Sequence, residues 1–447
     1  MRDTPGSDSR LPWAYLLRWL LLPTLVACLA GSASAFFLWA LDEATRWRLA
    51  HAWILWGLPL AGMIVGWIYQ RYGQSVAAGN NLIIDEIHDP QKIIPLRMAP
   101  LVLGGTVVSH LFGASVGREG TAVQMGASLA DQLTHLFKLR HSDRRILLMA
   151  GISAGFASVF GTPMAGAVFG LEVLAIGRLH YDALLACTVA AVVADQIGLL
   201  WGVHHTHYAV ASIPPIAAWP LLATVLAGAV FGLAGRLFSL LVHTLGGWTR
   251  SRIASAPLRP LAGGIVIAVA AWLLPSERYL GLGIPTIVSS FVQPLAWYDF
   301  AGKMAFTVVS LGSGFKGGEV TPLFYIGATL GNALAPLLQL PFPLLAGLGF
   351  VAVFAGAANT PLASTFMAME LFGADIGVYA LLACTASYLF SGHTGIYSAQ
   401  RIGHAKHRQL PAGLRLGEIM AGRRRLAAPE AGATSDDEEG PGRGPKP

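Results

Sequence analysis

The chain alternates apolar runs with short polar interruptions, and the lengths of both are informative. Residues 16–35 are apolar behind a basic flank and close on Ser-Ala-Ser-Ala, the outline of a secretory signal. The run nevertheless continues through Phe36, Phe37, Leu38, Trp39 and Leu41, too long for a signal core and about right for a tilted span, so a first transmembrane helix is expected here. A second run covers 53–69. Between 98 and 372 the apolar segments are many and are broken by glycine and proline, as in 150–160, 163–176, 184–200, 219–245 and 261–274. Several fall short of the roughly 20 residues that cross a bilayer, which predicts helices that enter partway or run steeply tilted.

Three interruptions carry polar groups into this apolar background. At 79–88, GNNLIIDEIH joins Gly79 to Asn80, a helix-start signal whose carboxamide can offer N–H donors to an anion; from this segment alone an ordinary capped turn at a membrane face is the better reading. At 117–126, GREGTAVQMG sets Arg118 and Glu119 between Gly117 and Gly120. A charge at the bilayer centre costs about 2.5–3.5 kcal/mol on the lenient insertion scales, so it is rarely kept without a purpose. The glycines leave backbone N–H groups uncovered where the next helix begins, and a helix start carries about half a positive charge. The segment reads as an anion site with a titratable lid. At 314–322, GFKGGEVTP again combines glycines, a cation, Lys316, and an acid, Glu319, ahead of Val320, Thr321 and an apolar helix.

An internal repeat orders these segments. Thr162-Pro163-Met164-Ala165-Gly166, ending in Leu171-Glu172-Val173, recurs as Thr360-Pro361-Leu362-Ala363-Ser364, ending in Met369-Glu370-Leu371. Leu184-Leu185-Ala186-Cys187-Thr188 recurs as Leu381-Leu382-Ala383-Cys384-Thr385, and Gly126-Ala127-Ser128-Leu129 as Gly327-Ala328-Thr329-Leu330. Two related halves, about 13–205 and 215–404, are expected to hold a substrate at their interface near the midplane, with the two charged glycine-rich helix starts facing one another across a single anion. A polar leader, 1–12, precedes them. The residues from 405 to 447 read as a basic segment and a disordered tail, too short for a cytoplasmic regulatory domain.

Composition agrees with a polytopic all-α membrane protein: 54% of residues are hydrophobic, 12% are charged and the mean hydropathy is +0.57. Within a net charge of +6, Lys138, Arg140, Arg144 and Arg145 crowd one loop and seven more cations lie in 401–425. The positive-inside rule puts both segments, and with them both termini, in the cytoplasm, and nucleic acid is not needed to explain the charge. Cys28, Cys187 and Cys384 stand singly in apolar runs and suggest neither a disulfide nor a metal site; no cofactor is expected. Gly151-Ile152-Ser153-Ala154-Gly155 fits the G-x-S-x-G nucleophile pattern of hydrolases, but inside an apolar helical run it reads as helix packing, so an enzyme is not expected. His204-His205-Thr206-His207 reads as an incidental polar loop, because no carboxylate or cysteine with ligand spacing accompanies it.

Taken together, GREGTAVQMG, the stretch 150–172, GGEVTP and the late Gly395-Ile396-Tyr397-Ser398 resemble the CLC family of chloride channels and proton-coupled anion exchangers. The resemblance implies a homodimer in the cell membrane, each subunit with its own pore built from two inverted halves of many tilted and partial helices. By position it makes Glu119 the gating, proton-carrying glutamate, and Tyr397 the tyrosine whose hydroxyl closes the inner side of the central anion site. Where most of the family has the serine of GSGIP, this chain has Gly79-Asn80-Asn81-Leu82; the GREGP proline is Thr121; and Glu319 stands where an acid is usually lacking. These departures resemble the fluoride-exporting branch. The inner proton-transfer glutamate of many exchangers matches Val173, beside Glu172.

A fluoride/proton antiporter conferring fluoride resistance is therefore expected, with a chloride channel or chloride/proton exchanger as the alternative. Fluoride holds its water strongly, so a site must replace that water with close donors, here expected from Gly79, Asn80, Gly117, Arg118, Gly120, Val320, Thr321 and Tyr397. Fluoride moving out and a proton moving in both carry positive charge inward, worth about 4.6 kcal/mol per cycle at 100 mV. Glu319 is expected near Glu119 as a second coupling acid, sharing a proton for part of the cycle; permanent pairing with Lys316 is its structural alternative.

Overall fold

The computed structural model describes residues 13–206, 208–274, 276–407 and 410–427. The leader and the acidic tail, 428–447, lie outside the described residues. Seventeen α-helices follow one another: α1 (Trp13–Ala50), α2 (Leu58–Tyr72), α3 (Asn80–His88), α4 (Met98–Leu111), α5 (Glu119–Leu136), α6 (His141–Phe160), α7 (Pro163–Glu172), α8 (Leu184–Leu200) and α9 (Ala218–Arg252). They continue with α10 (Leu258–Leu273), α11 (Ile284–Ser290), α12 (Asp299–Ser313), α13 (Val320–Leu338), α14 (Phe342–Ala358), α15 (Pro361–Phe372), α16 (Gly377–Phe390) and α17 (Leu416–Ala427). The only strands among the described residues are a parallel pair of two residues each, β1 (Ala175–Ile176) and β2 (Arg401–Ile402), apart from two isolated bridges.

Among the described residues, five helical stretches are long and apolar enough to cross a bilayer: Tyr15–Ala50, Ala52–Tyr72, Tyr181–Leu200, Ala218–Arg252 and Val320–Leu338. The first runs unbroken through the signal-like stretch, and its continuation is packed: Phe37 and Leu41 are fully buried with Val102, Met125 and Val159. By contrast α3, α7, α11 and α15 have 9, 10, 7 and 12 residues. At 1.5 Å per residue each is under about 20 Å long, so its ends stop within the depth of a membrane.

The repeat is visible as matched packing. At the α5–α6 crossing, a Cβ on Gly151 would come within 2.7 Å of the Gly126 carbonyl oxygen, so the two backbones touch. Gly327 of α13 meets Gly349 of α14 in the same way, and Gly126 and Gly327 are a matched pair of the repeat. The GISAG stretch is therefore a helix crossing, and Ser153 is fully buried within it. Glutamates cap the starts of helices from the opposite half. Glu172 of α7 accepts from the Leu362 and Ala363 amides of α15, at 3.1 and 2.8 Å, and Glu370 of α15 accepts from Met164 and Ala165 of α7, at 2.8 and 2.9 Å. Carboxylates favour helix starts because those amides lack partners within the helix.

A buried ion network fixes α3. Arg144 donates through Nε and Nη2 to Asp131, at 2.7 and 2.9 Å, through Nη1 to Glu86, at 3.3 Å, and through Nη2 to the Lys92 carbonyl, at 2.7 Å. Arg415 pairs with Asp85, also on α3, at 3.0 Å. The basic loop 138–145 and the segment after 401 thus meet the same end of α3 and lie on one face of the protein.

Candidate functional site

Two glycine-rich strands of chain are stitched together at the centre. Gly117 N donates to Gly318 O at 2.6 Å and Gly318 N to Gly117 O at 2.8 Å, an isolated antiparallel bridge between the halves. From it, α5 begins at Glu119 and α13 at Val320. Counted from the two helix starts, Glu119 corresponds to Val320 and Arg118 to Glu319, so the two acids are one step out of phase. Lack of side chains lets the backbones meet: a Cβ on Gly318 would lie 2.9 Å from Gly120 N.

Glu119 is 1% exposed and its carboxylate is surrounded by donors. Its Oε2 accepts from Thr321 N and from Arg118 N, each at 3.1 Å, its Oε1 accepts from the Thr321 hydroxyl, and Arg118 Nε stands 3.7 Å from Oε1. The first turn of α13, which Val320 opens, thus holds the carboxylate of the other half as it would hold an anion. Thr121 shows what the missing proline allows: its N–H donates to Arg118 O at 3.1 Å, and its hydroxyl bonds the Thr106 hydroxyl at 2.7 Å.

Cavities lie on both sides. The first, of about 300 Å³, is lined by Gly79, Asn80, Glu319 and Tyr397 together with Tyr69, Gln124, His243, Arg250 and Lys316. The second, of about 30 Å³, is lined by Arg118, Glu119 and Thr321 with His205, Thr206, Tyr208, Phe160, Phe324 and Phe350, and holds little more than a water or a small ion. Of the expected site residues, Gly79, Asn80, Glu319 and Tyr397 line the first cavity and Arg118, Glu119 and Thr321 the second, while Gly117, Gly120 and Val320 line neither. Asn80, Gly120 and Glu319 do converge. A Cβ on Gly120 would lie 3.1 Å from Asn80 Nδ2 and 3.9 Å from Glu319 Oε2.

Asn80 is the first residue of α3, behind Gly79 at φ +57°, a conformation that favours glycine. Tyr397 is not at a helix start. It lies in the loop after α16, held by Ile396 N donating to Ala357 O, Ala399 N to Asn81 Oδ1 and His243 Nε2 to Gly395 O, all at 2.9 Å. Lys316 and Glu319 form no ion pair among the described residues, because Gly317 and Gly318 keep the segment extended and the Lys316 ammonium stands 4.0 Å from the Tyr69 ring centroid. Glu172 is engaged as a helix cap, and the Val173 carbonyl accepts from Gln400. His205 and Thr206 line the second cavity, so the loop read as incidental borders the site. His207 is outside the described residues. No group of three His, Cys, Asp or Glu among the described residues is placed to hold a metal. His243 and Arg250 of the first cavity, and Phe160, Tyr208, Phe324 and Phe350 of the second, were not legible as site residues, since they come from distant elements with no local motif; Gln124 lies within GREGTAVQMG but carries no signal of its own there.

Partial helices, a repeat that meets head-on and a carboxylate on a helix start between two cavities define a membrane protein that passes anions. The family profile described as voltage gated chloride channel matches residues 61–392, and the chain belongs to that family. It is 67% identical over 412 residues, 91% of each chain, to a chloride/fluoride channel protein of Pseudomonas syringae pv. tomato. Its fold is similar to the crystal structure of a CLC-type fluoride/proton antiporter, with a TM-score of 0.85 and 35% identity over 88% of this chain and 100% of that one. A slow cyanobacterial Cl−/H+ antiporter shares the fold at a TM-score of 0.75 and 21% identity, over 92% of this chain and 99% of that one.

Proposed function

We propose that the chain exports fluoride in exchange for protons. The observation that carries the reading is the seat of Glu119, whose carboxylate occupies the donors of Thr321 at the start of α13 between the two cavities. An anion arriving from the first cavity competes for those donors. Once protonated, the Glu119 side chain no longer needs them and swings towards the second cavity, so that each exchange of anion for carboxylate carries a proton the other way. Glu119 is the proton-carrying gate in this reading. Asn80, Tyr397 and the amides near Gly79 and Gly120 strip the ion's water, and Glu319, close behind, is the second coupling acid.

The names of the 67% identical relative and of the antiporter structure support fluoride as the substrate. The face bearing 138–145 and the segment after 401 is cytoplasmic by the positive-inside rule, so both termini and the first cavity face the cytoplasm of the cell membrane. The assembly is a homodimer with one pore per subunit, and the halves are bounded at about 13–205 and 215–404. The second reading, a passive channel, is favoured by the word channel in the relative's name. Purified protein in sealed vesicles distinguishes them. An outward fluoride gradient is expected to drive proton uptake that a chloride gradient does not match, whereas a channel passes the anion with no proton movement.

A further inference from the structure

The charges lining the first cavity are unevenly placed. Its one lining carboxylate, Glu319, lies at the inner end beside Gly120 and Asn80. Two long basic side chains, Lys316 and Arg250, line it as well. The Lys316 stem fits against bare backbone of α4, since a Cβ on Gly105 would come within 3.0 Å of Lys316 Cβ. Its ammonium rests 4.0 Å from the centroid of the Tyr69 ring. A ring face steadies an ammonium without neutralising it, so the charge still acts on the cavity.

Arg250 is exposed in the last turn of α9, but its guanidinium folds back along the helix. A Cβ on Gly246, one turn earlier, would meet Nη1 at 3.5 Å, and Gly246 is itself part of the cavity wall. No carboxylate pairs with either cation among the described residues. An arginine in a last turn ordinarily serves the helix dipole, and a lysine on an aromatic ring ordinarily serves packing. Two unneutralised cations on one cavity that narrows to an anion's donors have a further consequence.

We propose that Lys316 and Arg250 form a capture site for the hydrated anion, separate from the Asn80 and Thr321 donors that strip its water. The proposal rests on the reading that the first cavity is the anion's way in. A small ion wrapped in water responds to charge more than to shape, and like-signed charges in a low-dielectric cleft raise the local concentration of the opposite ion. Capture then limits export when fluoride is scarce and responds to ionic strength, while the rate at saturation is set by the later exchange with Glu119.

The test measures initial anion flux from vesicles against anion concentration, at several ionic strengths set with potassium gluconate, for the parent, Lys316→Met, Arg250→Gln, the double variant and Arg250→Lys. The expected result is a low-concentration slope that falls about threefold in each single variant and about tenfold in the double, with a weaker response to salt than the parent's. The saturating flux falls less, and Arg250→Lys retains most of the slope. A double variant with parental slope and salt response overturns the proposal. So does an equal fall in slope and saturating flux with an unchanged salt response, which marks both residues as structural. Should Lys316→Met fail to fold, Arg250→Gln, changed at an exposed position, decides by the same criteria. The flux is read on whichever halide the parent carries. A parent that moves chloride alone defeats the proposed function, whereas a fluoride-carrying parent with insensitive variants defeats only the capture site.

Discussion

Glu119 is held in place by donors from both halves of the chain, and the side chains around it divide the work. Asn80 brings its Nδ2 to within reach of Gly120, on the path the proposed function gives an ion leaving the first cavity. An amide makes stronger demands on a small, hard anion than a hydroxyl that also needs an acceptor. Asn80→Ser is expected to lower the ratio of fluoride to chloride flux at least about fivefold, the equivalent of one lost hydrogen bond, while the protein remains folded. A ratio at the parental value counts against a selectivity role. Among the described residues Glu319 pairs with no lysine, which favours a role in the transport cycle over a structural ion pair. Glu319→Gln is expected to slow coupled exchange to a similar degree in the parent and in a Lys316→Met background, measured as proton uptake per fluoride released. If Lys316→Met makes Glu319→Gln harmless, the two residues act as a pair in some step of the cycle.

At the scale of elements, the helix starts were legible because their chemistry is local. Gly79 before Asn80, and Gly117 before Arg118 and Glu119, announce α3 and α5 at the residues where they begin. The same is true of the Gly-Gly-Glu that leads into α13. Tyr397 is positioned from outside its own segment, by Ala357, Asn81 and His243, none of which is near it in sequence, so its placement had no local signal. That some helices would be partial was legible as a class from short apolar runs, and the one-step offset between the acids already follows from pairing Gly126 with Gly327, which the Gly117–Gly318 bridge matches. The backbone contact at the α5–α6 crossing makes a prediction at this scale. Gly151→Ala puts a methyl 2.7 Å from the Gly126 carbonyl oxygen, and the helices must part. Overpacking of this kind costs about 1–3 kcal/mol and moves Glu119 through α5. Thermal unfolding in detergent is expected at a lower temperature, and an unchanged midpoint shows that the crossing yields freely.

The whole molecule joins two similar halves through groups that neither half can satisfy alone. Glu172 and Glu370 cap one another's helices, the Gly117–Gly318 bridge closes the centre, and three phenylalanines from each half, Phe156, Phe160 and Phe169 with Phe324, Phe350 and Phe354, form an apolar seam beside the second cavity. The Glu119 carboxylate beside that seam has Thr321 and the Arg118 amide as its donors, and in the proposed cycle an anion exchanges with it there. The two related halves could be read from the repeated Thr-Pro and Leu-Leu-Ala-Cys-Thr sequences. The division of the site into two cavities could not, since residues such as His205, Tyr208 and Arg250 reach it only through the packing of distant helices. The most direct measurement records fluoride release and proton uptake together from vesicles containing the parent or Glu119→Gln. In the parent, fluoride release is expected to draw protons in against a pH gradient; in Glu119→Gln, proton uptake is lost even where fluoride still leaks. Proton uptake driven by fluoride at the parental ratio in Glu119→Gln contradicts the gate assigned to Glu119.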